Sequence, residues 1–160
     1  IGQGFGMRVI ANDIRDVSMD GVETVNFNTL ISEADILQIH VHLNDDTRGI
    51  INAPVFERMK PTAFLINTSR GAIIDEASLL AALSEQKIAG AGLDVIDGEW
   101  LDEDELRQHP LIRYMQDHDN LVITPHTASS TPESMFGARD FIAKKIARYI
   151  QENYLAENEK

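Results

Sequence analysis

The sequence predicts an α/β fold in which helices lie on both faces of a parallel sheet. Two observations predict it. Short apolar runs alternate along the chain with longer amphipathic ones, and each short run is bounded by turn or polar residues. The short runs are mostly apolar on both faces, which is typical of strands in a parallel sheet. Connections between such strands are nearly always right-handed, and sites then lie at the carboxyl ends of the strands.

Five strands and three helices follow from this pattern. The helices are expected after the capping residues Asn52, Asp75 and Thr131, and the last is the longest, covering 131–155. The strands are expected to be buried on both faces and to cover residues 7–11, 36–41, 63–66, 91–95 and 121–124.

Composition limits the classes of function. The chain has 160 residues, 43% of them hydrophobic, so one folded domain is expected. Its net charge of -12 disfavours nucleic acid and anionic membrane surfaces as partners. No apolar run approaches the roughly 20 residues that span a bilayer. The absence of cysteine excludes disulfides and suits a reducing, cytoplasmic compartment.

Polar residues that could carry chemistry follow three successive strands. Arg70 comes after the third strand, Asp94 and then Glu99 after the fourth, and His126 after the fifth. Alone, Arg70 could pair with a surface carboxylate, Glu99 could belong to a solvated acidic run, and His126 could be a loop residue. Gly71 permits a turn that directs the Arg70 guanidinium toward a ligand. The combination predicts one site at the carboxyl edge of the sheet.

Two motif-like features do not predict sites. Gly2, Gly4 and Gly6 precede a strand instead of following one, so we expect them to close a helix and not to bind phosphate. His40 and His42 share a strand face, but no third ligand accompanies them, and no metal site is predicted.

The assembled sequence resembles the NAD-binding domain of the D-isomer-specific 2-hydroxyacid dehydrogenases, a family that includes D-lactate, glycerate and phosphoglycerate dehydrogenases. The resemblance runs nearly end to end, in the order and spacing of the family. Five blocks carry it, namely residues 5–13, 40–43 with Thr47, 67–71, 91–95 with Glu99, and 124–126.

The resemblance implies a Rossmann-type sheet and hydride transfer between NAD and a small 2-hydroxy or 2-keto acid. It implies that His126 is the general acid and base and that Glu99 raises the pKa of this histidine and orients it. Arg70 would bind the substrate carboxylate and polarise the carbonyl group.

The resemblance also implies a set of cofactor-binding residues. Asp13 would accept hydrogen bonds from the adenosine ribose, which favours NAD over NADP. Asp94 corresponds to the family residue at the nicotinamide carboxamide. The whole set is Asp13, Ile14, His42, Thr47, Thr68, Ser69, Arg70, Asp94, His126 and Ala128.

The sequence departs from the family in two ways. His42 and Trp100 stand where the family usually has proline. The substrate-binding domain, the first Rossmann strand and its glycine loop have no counterpart, and the chain starts with Ile1, not methionine. Residues 1–160 are therefore expected to be a partial NAD-binding domain from a longer enzyme. Losing the first strand leaves a gap of about 10 Å, so we expect an altered sheet or a homo-oligomer such as a dimer, and little turnover.

Two alternatives stay open. The first is a non-catalytic, NAD-responsive binding module, because corepressors of the carboxyl-terminal-binding-protein type resemble this family. The second is a half domain that pairs with a separate chain. The complete set of Arg70, Glu99 and His126 favours an enzyme.

Overall fold

A computed structural model describes residues 1–15, 18–98 and 102–151. The chain divides into two compact units, Ile1–Pro125 and His126–Lys160. The elements of the first unit are, in order, β1 (Val9–Ala11), β2 (Val22–Thr24), α1 (Phe27–Glu33), β3 (Ile36–Ile39), α2 (Ala53–Phe56), β4 (Phe64–Asn67), α3 (Glu76–Ser84), β5 (Gly90–Leu93), α4 (Glu103–Gln108), α5 (Pro110–Asp117) and β6 (Leu121–Ile123).

The strands form two parallel sheets. β1 pairs with β2, and β3, β4, β5 and β6 form a second sheet in that spatial order. The expected class of parallel strands with flanking helices is confirmed. The break in pairing falls between β1 and β3, where the resemblance predicted that a strand is missing. β1 and β3 therefore each pair on one side only within the described residues.

The pairing register brings the ends of β3, β4 and β5 level. Ile39 lies opposite Asn67, and Asn67 lies opposite Leu93. Leu93 in turn pairs with Ile123 of β6. The carboxyl ends of four strands consequently form one edge.

The second sheet is buried on one face only. Leu37, Leu65 and Leu93 point into a core that also contains Leu79 of α3 and Leu111 of α5. The opposite face exposes apolar side chains of three strands, among them Ile36, Phe64 and Val122. The prediction of burial on both faces was therefore wrong for these positions. The physical reason is that the helices of the described first unit contribute their buried residues to a single core.

Three capping positions were predicted correctly. Asn52 and Asp75 are the N-cap residues of α2 and α3, and Thr131 is the N-cap of α6, the helix Pro132–Ile150. Only the Thr131 side chain accepts a backbone N–H, that of Ser134 at 3.2 Å. Gly6, with φ of 72°, caps a 3₁₀ turn over Gly2–Phe5, which agrees with the expectation that these glycines close a helix.

Several short elements were not predicted from the sequence: β2, α1, α4 and α5. Each has eight residues or fewer, which leaves little length for a periodic pattern to stand out. In α4 the acidic residues Asp102 to Glu105 also left no apolar pattern from which a helix could be predicted. The N-cap Asp102 accepts the N–H of Glu105. Acidic residues in the first turn are stabilised by the positive end of the helix dipole, so Glu103, Asp104 and Glu105 favour α4.

The second unit is described by α6 (Pro132–Ile150). Its apolar residues recur at helical spacing and are exposed, among them Phe136, Phe141 and Ile146. The predicted end at residue 155 lies outside the described residues. Neither α6 nor any other helix in the described ranges combines the length and the apolar character needed to cross a membrane.

Candidate active site

Side-chain and backbone hydrogen bonds join the carboxyl ends of the four strands of the second sheet. The Ser69 hydroxyl, after β4, donates to the carbonyl oxygen of Ile39 at the end of β3, at 2.7 Å. The Asp94 N–H, after β5, donates to the carbonyl oxygen of Asn67 at 2.9 Å. The Thr124 hydroxyl, after β6, donates to Asp94 Oδ1 at 2.5 Å. Ser69, Asp94 and Thr124 therefore lie along one edge of the sheet.

A buried asparagine shapes the turn that carries Arg70. Asn67 is 0% exposed; its Nδ2 donates to the carbonyl oxygen of Arg70 at 2.9 Å, and its Oδ1 accepts the N–H of Ser69 at 3.0 Å. The sequence interpretation did not assign Asn67 to the site. The signal was there, because an asparagine side chain that bonds the backbone two residues on is a common turn device.

The Arg70 guanidinium is exposed at this edge. Its Nη1 donates to the carbonyl oxygen of Ser69 at 2.6 Å. Within the described part of the first unit no carboxylate pairs with Arg70, so the alternative of a surface ion pair is not realised there.

Gly71 is required for space and not for an unusual backbone conformation. Its φ lies outside the left-handed region, so the conformational freedom predicted from sequence is not used. A Cβ atom at this position would lie 2.0 Å from the carbonyl carbon of Ile96 and 2.2 Å from the nitrogen of Asp97. The turn after β4 and the segment after β5 are thus in backbone contact.

Asp94 is the buried acid of the edge. It is 5% exposed, and its side chain accepts the Thr124 hydroxyl described above. A buried carboxylate held by hydrogen bonds presents a fixed acceptor. This position fits a group that donates N–H to the protein, as an amide does.

Asp13 and Ile14 lie beyond the end of β1, in the other sheet. The Arg15 guanidinium, by hydrogen bonding to the Asp13 carboxylate at 3.3 Å, lowers the pKa of Asp13. The Arg15 backbone N–H also donates to Asp13 Oδ1, at 2.8 Å. Asp13 is therefore ionised at neutral pH, and the Ile14 side chain is fully exposed.

The loop after β3 is closed by Thr47. Its hydroxyl donates to the carbonyl oxygen of His42 at 2.6 Å, and its N–H donates to Asn44 Oδ1 at 3.0 Å. His40 contacts Gln38 at 3.3 Å. No group of three or more histidine, aspartate or glutamate side chains in the described ranges is placed to hold a metal ion.

The other residues predicted for the site are Glu99, His126, Ala128 and Thr68. Glu99 lies outside the described residues. His126 and Ala128 belong to the second unit, where His126 has a φ of 51°, in the left-handed region. Thr68 is in the first unit, next to Ser69, with an exposed side chain.

A surface groove of about 690 Å³ lies elsewhere in the first unit. Its lining residues include Ala89, just before β5, and Asn120, just before β6. The groove is consequently at the amino ends of the strands and is not the candidate site, which is at their carboxyl ends.

Replacing Gly71 by alanine tests the backbone contact. We expect Gly71→Ala to lower the free energy of unfolding by about 1–3 kcal/mol, because the new methyl group overlaps backbone atoms that must move. Urea unfolding of the 160-residue chain measures it. Gly4→Ala is the matched control, since a Cβ there meets no atom within 4 Å. Equal stability of the two variants would contradict the contact.

Comparison with known proteins places this geometry in a family. Residues 1–128 match the family described as D-isomer specific 2-hydroxyacid dehydrogenase, NAD binding domain. The chain is 41% identical over 150 residues to a D-specific alpha-keto acid dehydrogenase of Enterococcus faecalis, covering 90% of this chain and 45% of that enzyme. It is 38% identical over 153 residues to a glyoxylate reductase of Thermococcus litoralis, covering 93% and 44%.

A solved structure gives the same result. D-lactate dehydrogenase of Aquifex aeolicus, complexed with NAD and lactic acid, aligns with a TM-score of 0.78 and 28% identity over 95% of this chain and 49% of that one. The chain spans less than half the length of each of these three proteins. The resemblance seen in the sequence is confirmed, and the chain belongs to the D-isomer-specific 2-hydroxyacid dehydrogenases through their NAD-binding domain.

Proposed function

We propose that the protein transfers a hydride between NAD and a small D-2-hydroxy acid or its 2-keto acid. The observation that carries this proposal is the turn that bears Arg70. Buried Asn67 holds this turn by a hydrogen bond, and buried Asp94 lies at the same carboxyl edge of the sheet. The relatives, a glyoxylate reductase and a D-specific alpha-keto acid dehydrogenase, support this substrate class.

Arg70 is the proposed substrate anchor. Its guanidinium is planar, permanently charged and exposed, and a carboxylate can accept two parallel N–H bonds from such a group. The Asn67 side chain hydrogen-bonds the backbone of Ser69 and of Arg70 and so fixes the turn from which the Arg70 side chain extends. A 2-keto acid bound in this way would present its carbonyl group beside the same arginine.

The residues present fit NAD as the cofactor. Asp13 offers an ionised carboxylate at the end of β1, suited to ribose hydroxyls and repulsive to the 2′-phosphate of NADP. Asp94 offers a fixed acceptor for the nicotinamide carboxamide. Ile14, His42, Thr47, Thr68, Ser69, Arg70, His126 and Ala128 complete the proposed set.

Proton transfer is assigned to His126. In the reducing direction His126 gives a proton to the carbonyl oxygen, and in the oxidising direction it removes that proton. Glu99 is proposed to favour the charged imidazole and to orient it. When bound, NADH supplies the hydride that forms the new C–H bond at the carbonyl carbon.

Two variants test these roles in the longest natural chain that carries these residues, that is, the longest naturally occurring polypeptide that contains the 160-residue sequence. Arg70→Lys should lower kcat/KM for a 2-keto acid about 10- to 100-fold, the value of one charge-assisted hydrogen bond of roughly 1.5–3 kcal/mol. His126→Asn should lower kcat about 10²- to 10⁴-fold, as expected when a general acid is lost. Spectrophotometry of NADH oxidation with glyoxylate or pyruvate measures both.

Matched controls separate these effects from general damage. Arg139→Lys and His118→Asn make the same chemical changes at positions outside the proposed site. The roles of Arg70 and His126 are supported if Arg139→Lys and His118→Asn leave the kinetics unchanged while Arg70→Lys and His126→Asn lower them. Full activity in Arg70→Lys or His126→Asn would contradict it.

We further propose that the 160-residue chain alone turns over little substrate, forms a homo-oligomer such as a dimer, and works in the cytoplasm. The open edges of β1 and β3 support an added pairing partner. Gly2–Phe5 forms a 3₁₀ turn before β1, so these residues do not supply a strand-to-helix phosphate loop. The lack of cysteine supports a reducing compartment.

Light scattering after size exclusion, with an activity assay on the same fractions, tests the first two statements. We expect a mass of a dimer or larger, and no measurable reduction of pyruvate, glyoxylate or hydroxypyruvate by NADH. A stable monomer with both sheets unchanged, or clear turnover, would refute the corresponding statement.

A further inference from the structure

Two side chains hold the backbone of Asp97, in the segment that follows β5. Glu76 Oε1 accepts the N–H of Asp97 at 2.8 Å. His109 Nε2 lies 3.1 Å from the carbonyl oxygen of Asp97 and 3.1 Å from Glu76 Oε2. Glu76 is in the first turn of α3, and His109 is the N-cap of α5. Both backbone polar groups of one residue are thus bound by a pair of side chains from two different helices.

The hydrogen bonds determine which histidine nitrogen carries the proton. His109 Nδ1 accepts the N–H of Leu111 at 3.3 Å, so it has no proton in this geometry. Nε2 therefore donates, and its two acceptors are the Glu76 carboxylate and the Asp97 carbonyl oxygen. The pair is largely buried, with side chains 18% and 10% exposed for Glu76 and His109.

Burial of a carboxylate costs free energy unless its partners are well placed. Burial raises the pKa of Glu76, while the Asp97 N–H and His109 oppose that rise. An exposed pair on the surface would contribute little. Glu76 and His109 are instead largely buried, and each is hydrogen-bonded to the Asp97 backbone.

The segment held in this way packs against the Arg70 turn. Asp97 and Ile96 are the backbone neighbours of Gly71, at a distance that leaves no room for a Cβ atom. Gly71 directly follows Arg70, and the Ile74 N–H closes the turn on the Gly71 carbonyl oxygen at 2.9 Å. A shift of Asp97 would therefore move the backbone next to Arg70.

We propose that Glu76 and His109 are positioning residues, which hold Asp97 against Gly71 and thereby set the place of the Arg70 guanidinium. The inference deepens the proposed function, because it rests on Arg70 as the substrate anchor. Neither residue is proposed to touch substrate. Both act through the Asp97 backbone.

Two variants break the pair while sparing the fold. In Glu76→Gln the side-chain amide oxygen can still accept the Asp97 N–H, but the NH₂ group then faces the His109 Nε2–H, and these two donors cannot bond each other. His109→Asn keeps a good N-cap for α5 but is too short to reach Glu76. Glu103→Gln and His118→Asn are matched controls, since these side chains are exposed and contact neither Asp97 nor Gly71.

The first measurement is hydrogen exchange of individual amides by NMR in the 160-residue chain. We expect the Asp97 and Ile74 amides to exchange about tenfold faster in Glu76→Gln and His109→Asn, and at the wild-type rate in the controls. The Ile74 amide reports on the Arg70 turn independently of any activity. Unchanged exchange at both amides overturns the proposal.

The second measurement is a double-mutant cycle in the longest natural chain that carries these residues. Glu76→Gln should raise KM for the 2-keto acid, with kcat/KM falling up to about 100-fold and KM for NADH unchanged. That loss should shrink when Arg70→Lys is already present, because the positioned group is gone. A merely structural role would lower kcat/KM by the same factor in both backgrounds, which would overturn the proposal.

The two measurements separate the two proposals. Absence of turnover in the longest natural chain without any substitution refutes the proposed function. In that case faster exchange of the Ile74 amide in Glu76→Gln and His109→Asn still supports the proposal that these two residues position the Arg70 turn. Unchanged exchange refutes that proposal.

Discussion

The level register of the parallel strands β3 to β6 is the constraint on which the site depends. Because Ile39, Asn67 and Leu93 lie side by side, the residues that follow them leave the sheet at the same edge. Asn67 then uses its buried side chain to bind the turn, and Asp94 receives the Thr124 hydroxyl from the next strand. A one-residue shift in the pairing register of any of these strands would separate these side chains and turn those of the shifted strand to the opposite face of the sheet.

Backbone contact converts this alignment into a fixed arrangement. Gly71 lets the turn after β4 touch the segment after β5, and Glu76 and His109 bind the Asp97 backbone in that segment. Protein interiors pack densely, so such contacts transmit small displacements. Arg70 extends from a backbone that is held by Asn67 on one side and by Gly71 on the other.

The sequence predicted the features that local chemistry determines. Apolar runs located the strands of the second sheet, and capping residues located the starts of α2, α3 and α6. Features that depend on distant neighbours were not predicted. The reason for glycine at position 71 is the approach of Ile96, and the role of Glu76 depends on His109, 33 positions later in the numbering. The exposed face with Ile36 and Phe64 likewise cannot be distinguished from a buried one by composition.

The configuration of the product tests the proposed hydride transfer most directly. Pyruvate and NADH would be incubated with the longest natural chain that carries these residues, and the lactate would be analysed by chiral chromatography. Hydride transfer of the proposed D-specific kind yields D-lactate, formed at the rate of NADH oxidation. L-lactate, or NADH oxidation without lactate, would contradict it.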